Sequence, residues 1–165
     1  MESRAKLLGH PVHQMLIPIP AGLFIVAAVL DVVDKFADAA WIPTVTFWNL
    51  VVGVLSALVA AIFGLADFTK IPNHTRAKRI GALHGVGNVL AVAIFGLAIY
   101  LRSDELSYQA GSDALTFEII GFVLLSLTGW LGGELVDRLG VGVDEGAHVN
   151  APSSLSAKHV PHARH

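Results

Sequence analysis

Two histidines three residues apart, His10 and His13, stand at the start of the first long apolar stretch, in the segment GHPVHQMLIPIP. If Pro11 occupies the first turn of a helix, where proline is tolerated, both imidazoles lie near one face of that helix. Imidazole changes its charge near neutral pH and is the commonest metal ligand in proteins. The pair therefore predicts proton, metal or haem chemistry at the N-terminal end of this helix.

A third histidine, His84, lies in the glycine-rich segment IGALHGVGN, and Asn88 follows it four residues later. This spacing places both side chains on one face of a helix. An imidazole without a partner would be destabilising in such an apolar segment. Ionisable groups inside apolar helices usually face the interior of a bundle and indicate function. We therefore expect His84 to have a specific partner.

Haem b is one cofactor that two histidines on facing helices hold, with glycine leaving space for the porphyrin. His84 would be one axial ligand and His13, or alternatively His10, would be the other. In an up-down bundle the first and third helices are diagonal, so a planar group fits between them. Asn88 would help to orient the imidazole of His84.

The same groups predict a second chemistry, a single Zn, Fe or Cu ion bound by imidazoles and a carboxylate. The candidate ligands come from the ends of several apolar stretches and are His10, His13, His84, Asp67 and Glu134. A third chemistry, proton or quinone handling, uses the same groups with no cofactor at all. The sequence shows no recognisable catalytic motif, so whether the chain is an enzyme stays open.

The composition predicts that these groups are set in a lipid bilayer. Of 165 residues, 54% are hydrophobic and 15% are charged, and the mean hydropathy is +0.64. A soluble domain carries about 25% charged residues. The absence of cysteine excludes disulfides, thiolate zinc sites and iron–sulfur ligation. The few basic residues lie in connections and tails, so nucleic acid is not an expected partner.

Four apolar stretches are each long enough to cross the hydrocarbon core and contain no Lys or Arg. They cover about residues 15–33, 45–66, 80–101 and 115–136. An open sheet is excluded at that depth because unpaired backbone groups are costly in lipid. A cleaved signal peptide is the alternative for the first stretch, but Pro18, Pro20, Asp31 and Asp34 make a poor signal core. The predicted fold is an all-α, up-down four-helix transmembrane bundle over residues 1–143.

The basic residues predict the orientation of this bundle. We call side A the face that holds the N-terminus, the second connection and the C-terminus, and side B the face with the first and third connections. Nine Lys and Arg residues fall on side A, and two, Lys35 and Arg102, fall on side B. The positive-inside rule then places both termini in the cytoplasm of a bacterium, with the bundle in its inner membrane. Residues 144–165 are polar and show no hydrophobic periodicity, which predicts a disordered tail that contains His148, His159, His162 and His165.

Four motifs resemble a bacterial membrane family known as domain of unknown function 2231. They are GHPVHQMLIPIPAGLF at 9–24, GLADF at 64–68, HTRAKRIGALHGVGN at 74–88 and GWLGGELVDRLGVGV at 129–143. The resemblance covers about residues 5–143 and implies four spans and a GHPxH start. Gln14 stands where the family commonly has proline, which leaves the histidine pair in place. Some members are joined to, or encoded beside, Rieske-type iron–sulfur proteins, which implies electron transfer and a redox partner.

Two other function classes fit the same residues. In the first, the chain is a non-catalytic membrane scaffold or interaction module, and His10, His13, Asp67 and His84 form an internal hydrogen-bond network that braces the helix ends. Such a module could form a homo-oligomer through its glycine faces. In the second, the chain is a small transporter or proton path. The middle of the four stretches offers only Ser56 and Ser126 as polar groups, so this class ranks last.

Overall fold

A computed structural model describes residues 1–37, 39–103 and 107–156. Two short strands, β1 (Lys6–Leu7) and β2 (His10–Pro11), precede the helices α1 (Val12–Leu16), α2 (Pro18–Asp34), α3 (Ile42–Lys70), α4 (Arg76–Ser103) and α5 (Ser112–Gly133). A π-helical turn, Glu134–Arg138, continues α5. The break between α1 and α2 falls before Pro18, which has no N–H to continue the helical hydrogen bonding.

The predicted all-α bundle with four membrane-spanning helices is confirmed. Four helical segments are long and apolar enough to cross a membrane, with α1 and α2 together forming the first. Each of these four helical segments extends past its predicted apolar stretch at both ends, the last of them through the π-helical turn to Arg138. Neighbours along the chain pack side by side, and α5 also contacts α2. The first and third spans are therefore diagonal, as expected for an up-down bundle.

The middle of the bundle is filled by two aromatic rings that meet across its diagonal. Phe24 of α2 and Phe95 of α4 stack with their ring centroids 4.0 Å apart, and both side chains are buried. Gly53 of α3 lies under the first ring and Gly121 of α5 under the second. The bundle interior at this depth is therefore apolar, and the fully buried polar side chains of the described residues lie toward its two ends.

Gly53 allows α3 to approach this ring pair, so replacing it by alanine should loosen the bundle. A Cβ atom at position 53 would lie 2.7 Å from Cε1 of Phe24. We expect Gly53→Ala to lower the free energy of unfolding by about 1–3 kcal/mol, the usual effect of overpacking a core. Thermal unfolding of the purified protein in detergent, followed by circular dichroism, measures the change. Gly96→Ala is the matched control, because a Cβ there meets no heavy atom within 4 Å, and equal stability of the two variants would contradict the prediction.

A hairpin at the N-terminus corrects one expectation about the first histidine pair. β1 and β2 pair antiparallel, with Leu7 opposite His10, and the turn between them uses positive φ angles at Leu8 and Gly9. Pro11 is extended and only precedes α1. The prediction that His10 and His13 share a helix face is therefore wrong. The side chain of His10 belongs to an exposed strand, and only that of His13 projects from the helix.

Residues 144–156, the described part of the predicted tail, are largely exposed and form only turns and irregular backbone. Residues 157–165 lie outside the described residues. Disorder of the whole tail therefore stays a prediction.

Candidate functional site

The structure brings His13 and His84 together on side A. His13 projects from α1 and His84 from α4, and their ring centroids are 6.5 Å apart with the planes almost perpendicular. Both residues are partly buried. The two imidazoles therefore come from diagonal spans and meet inside one end of the bundle.

His13 is held by α3. Its Nδ1 lies 2.8 Å from the main-chain oxygen of Ala60, so Nδ1 carries the proton and donates it to that carbonyl. Gly64, one turn further along α3, lies directly against the ring, and a Cβ there would be 2.7 Å from Cε1 of His13. The carbonyl and the glycine together fix the orientation of the ring and leave Nε2 with a free lone pair.

His84 is held by α5 in the same way. Its Nδ1 lies 2.8 Å from the main-chain oxygen of Thr128, and Gly132 lies against the ring, where a Cβ would be 3.0 Å from Cε1. In both cases a histidine donates to a carbonyl of the neighbouring helix and packs on the glycine four residues later. The expected specific partner of His84 is therefore present, and it is a main-chain oxygen.

Asn88 completes the surroundings of His84. Its Nδ2 donates to the main-chain oxygen of His84 at 2.9 Å and also lies 3.1 Å from Nε2 of that ring. Its Oδ1 accepts a hydrogen bond from the Thr128 hydroxyl at 2.8 Å. The predicted common face of His84 and Asn88 is confirmed. Thr128, which no sequence pattern singled out, is the residue that joins both side chains to α5.

The two candidate carboxylates have other partners. Asp67, at the end of α3, accepts hydrogen bonds from the Ser3 hydroxyl at 2.7 Å and from the main-chain N–H of Arg4 at 2.6 Å. Glu134 forms an ion pair with Arg76 at 2.5 Å. Within the described ranges, no group of three or more His, Asp or Glu side chains is placed to hold one metal ion. The structure thus brings together His13, His84 and Asn88, and directs the carboxylates elsewhere.

Asp67 belongs to a set of contacts that fix the N-terminal segment on side A. The ammonium group of Met1 donates to the main-chain oxygen of Gly140 at 2.7 Å. Lys6 forms ion pairs with Glu2 at 2.8 Å and Asp144 at 3.2 Å. The hydrogen bond to Glu2 is the largest cause that raises the pKa of Lys6. These contacts place the short helix that carries His13.

A hydrogen bond from the N–H of Gly146 lowers the pKa of the Asp144 carboxyl, and the hydrogen bond from Lys6 lowers it further. Asp144 is therefore kept ionised as a partner for Lys6. Because the Asp144 side chain is exposed, solvent screens this ion pair, and it contributes to the position of the segment more than to stability.

A second polar cluster lies inside the bundle at side B, and the sequence reasoning missed it. Arg102 is fully buried. Its Nε and Nη2 donate to Glu118 at 2.5 and 2.8 Å, and Nη2 also donates to Asp31. The basic-residue count treated Arg102 as a cation of a connection. Asp31 and Glu118 were the available signal, because each is a carboxylate inside an apolar stretch and needs a partner.

Together the fold and these clusters define an integral membrane four-helix bundle with polar groups enclosed at both ends and an apolar middle. The chain belongs to the family described as "Predicted membrane protein (DUF2231)", whose model matches residues 9–145. This match agrees with the resemblance carried by the four motifs. Comparison with curated proteins and with solved structures found no significant match.

Proposed function

We propose that this membrane protein binds haem b between His13 and His84 and takes part in electron transfer. The observation that carries the proposal is the pair of neighbouring imidazoles, each fixed through Nδ1 and each with Nε2 as its remaining nitrogen. Haem needs only one or two axial ligands from the protein, and facing helices of a bundle commonly supply them. When bound, the haem iron would accept and donate single electrons.

The spacing of the two rings supports this assignment. A metal–nitrogen bond to imidazole is about 2.0–2.1 Å, so two nitrogens on opposite sides of one metal are about 4 Å apart. Each ring centre lies about 1 Å beyond its nitrogen, which gives a centroid separation of roughly 6 Å for such a pair. The observed separation is 6.5 Å. This separation is compatible with both imidazoles binding the same metal.

The carbonyl contacts support it as well. A ligating histidine usually donates its other ring N–H to a carbonyl or carboxylate, which fixes the tautomer and the ring orientation. Ala60 and Thr128 supply such carbonyls to His13 and His84. Asn88 is a positioning residue in this proposal. Its amide must turn from Nε2 of His84 on ligation, while its bond to Thr128 keeps it beside the ring.

A bound Zn, Fe or Cu ion is the less supported form of the same proposal. Zinc takes four ligands, of which the protein supplies at least three. His10 would have to leave its strand, Asp67 would have to leave Ser3 and Arg4, or Glu134 would have to leave Arg76. Haem needs only the two histidines as protein ligands, so a two-histidine site favours haem over an isolated ion.

The setting that we propose is the inner membrane of a bacterium, with both termini in the cytoplasm and the histidine pair near that face. The nine basic residues of side A support this orientation. A Rieske-type or other redox protein is the proposed partner, on the strength of the family resemblance. The lipid bilayer is the other, since large apolar side chains cover the outside of all four spans.

A structural hydrogen-bond network is the second candidate, and one specific contact favours it. Asn88 already donates to Nε2 of His84, so that this imidazole is satisfied by protein groups alone. Together with the Ser3–Asp67 contact, the network would brace side A of a scaffold or of a homo-oligomer that associates through exposed glycines such as Gly85.

An absorbance spectrum of the protein purified from haem-replete cells tests the proposal. We expect a Soret band, stoichiometric haem by extraction, and a reversible spectral change on reduction. Metal analysis of the same sample tests the ion form through stoichiometric Zn, Fe or Cu without haem. A folded preparation with neither, which also takes up no added haem, would overturn the proposal and leave the structural network.

A further inference from the structure

Side B of the bundle encloses more acidic than basic side chains. Arg102 is the cation, and Asp31 and Glu118 are the anions, with relative exposures of 0%, 4% and 3%. Oxygens of both carboxylates accept hydrogen bonds from the same nitrogen, Nη2 of Arg102. Two like charges at one nitrogen repel each other, and one guanidinium neutralises only one of them. The cluster therefore has an unbalanced negative charge if both carboxylates are ionised.

A buried hydroxyl lies at the same level of the bundle. Phe24 of α2 packs against Gly53 of the antiparallel α3. Asp31 is seven residues further along α2, and Thr46 is seven residues back along α3. Seven residues are about two helical turns, so both side chains stay on the interior faces and at one depth. Thr46 is fully buried, and its hydroxyl has no hydrogen-bond partner in the described part of the chain.

The cluster is separated from the histidine pair. The stacked rings of Phe24 and Phe95 close the bundle between the two ends, and Gly53 and Gly121 press against those rings. A small ion that reaches Asp31 or Glu118 therefore comes from side B. The connection between α4 and α5 lies beside the cluster, since the main-chain oxygen of Tyr108 is 3.4 Å from Nη1 of Arg102.

We propose that Asp31 and Glu118 together bind one proton, which is taken up from side B and held beside Arg102 and Thr46. One carboxylate oxygen gains the proton and becomes a carboxylic acid, and no other bond forms or breaks. The other carboxylate stays ionised and pairs with Arg102. Such protonation removes the unbalanced charge from the apolar interior. The site lies at the opposite end from the proposed haem and does not depend on it.

The charged groups that face this site are few among the described residues. α2 supplies Asp31, α4 supplies Arg102 and α5 supplies Glu118. α3 contributes Thr46 and no charged side chain at this level. Asp34 of α2 is only partly buried and accepts a hydrogen bond from Gln109 at 2.5 Å, so it lies at the edge of the bundle and not in the enclosed cluster. Among the described residues, Asp31 and Glu118 are therefore the groups that would take up a proton inside the cluster.

Infrared spectroscopy of the purified protein at neutral pH tests the proposal. Surface carboxyls are ionised at that pH, so we expect a carboxylic acid carbonyl band from the cluster alone. The neutral isosteres Asp31→Asn and Glu118→Gln should each abolish the band, because either one leaves a single carboxylate balanced by Arg102. Circular dichroism establishes that each variant keeps its helices.

Glu134→Gln is the matched control, because it removes a carboxylate paired with an arginine on side A, and it should leave the band unchanged. A wild-type spectrum without the band would overturn the proposal, and this measurement needs no variant. A band that survives in both cluster variants would overturn it equally, since the proton would then lie elsewhere.

Discussion

Replacing Arg102 by methionine is expected to lower the free energy of unfolding by about 3–5 kcal/mol, the usual loss when one partner of a buried ion pair is removed. Methionine keeps much of the length of the side chain but removes every hydrogen bond to Asp31 and Glu118. Both carboxylates are almost completely buried, so water cannot replace the guanidinium. At least one negative charge then stays unpaired inside the bundle.

Unfolding of purified variants in detergent, by heat or by a denaturing detergent, measures this loss. Arg76→Met is the matched control, because Arg76 also pairs with a glutamate but has a half-exposed side chain. Exposed pairs contribute about 0–1 kcal/mol, so this control should stay within that range. Equal stability of the two methionine variants would contradict the prediction, because it would mean that water reaches Asp31 and Glu118 when the guanidinium is removed.

A rescue experiment separates charge from packing at this cluster. The triple variant Asp31→Leu, Arg102→Met and Glu118→Leu removes all three ionisable groups at once. Replacing a whole buried ion cluster by apolar groups is often neutral or stabilising. We therefore expect the triple variant to regain most of the stability lost by Arg102→Met. A further loss would mean that the hydrogen bonds, including that to the Tyr108 carbonyl, matter more than the unpaired charge.

The four spans could be predicted from the sequence because the bilayer imposes a length and excludes other backbone structures. The N-terminal hairpin could not. Its turn puts Leu8 at a φ of 52°, a conformation that leucine seldom adopts and that no local pattern indicates. His10 therefore lies in a strand although its spacing from His13 suits a helix. Tertiary contacts of the N-terminal segment, such as Ser3 with Asp67, decide this region.

The position of Arg102 shows a second limit of sequence reasoning. It is the second-last residue of α4, where a basic residue is normally counted as a surface cation. Helical side chains point toward the N-terminus of their helix, and the N-terminus of α4 lies on side A. The side chain of Arg102 therefore extends back into the bundle, where Asp31 and Glu118 lie. Direction along the helix, and not only position in the chain, determines which residues are inside.

The histidine pair was predictable in part. The apolar surroundings of His84 required a partner, and the up-down topology placed it near His13. What holds each ring is a main-chain carbonyl followed four residues later by glycine, Ala60 with Gly64 and Thr128 with Gly132. These pairs look like ordinary membrane packing motifs in the sequence. Only the contact across the helix interface shows that they orient imidazoles.

Replacing His84 by alanine is expected to abolish haem binding, because it removes one of the two proposed axial ligands. The ring also donates a hydrogen bond to Thr128, so a loss of stability of about 0.5–1.5 kcal/mol should accompany it. His13→Ala should abolish binding for the same reason. Titration of each purified variant with haem, followed by absorbance, measures the affinity, and circular dichroism measures the retained helices.

Two further variants distinguish haem ligation from a purely structural role of the imidazoles. His10→Ala should bind haem as the wild type does, because His10 lies in the exposed strand β2. Asn88→Ala should weaken binding by about 10–100-fold, the usual effect of removing a residue that orients a ligand. If His84→Ala lowers the unfolding temperature while every variant and the wild type are equally free of haem and metal, the imidazoles serve only the structural network. Loss of binding in the His13 and His84 variants, with an intact His10 variant, assigns the ligands to the two rings that the bundle brings together.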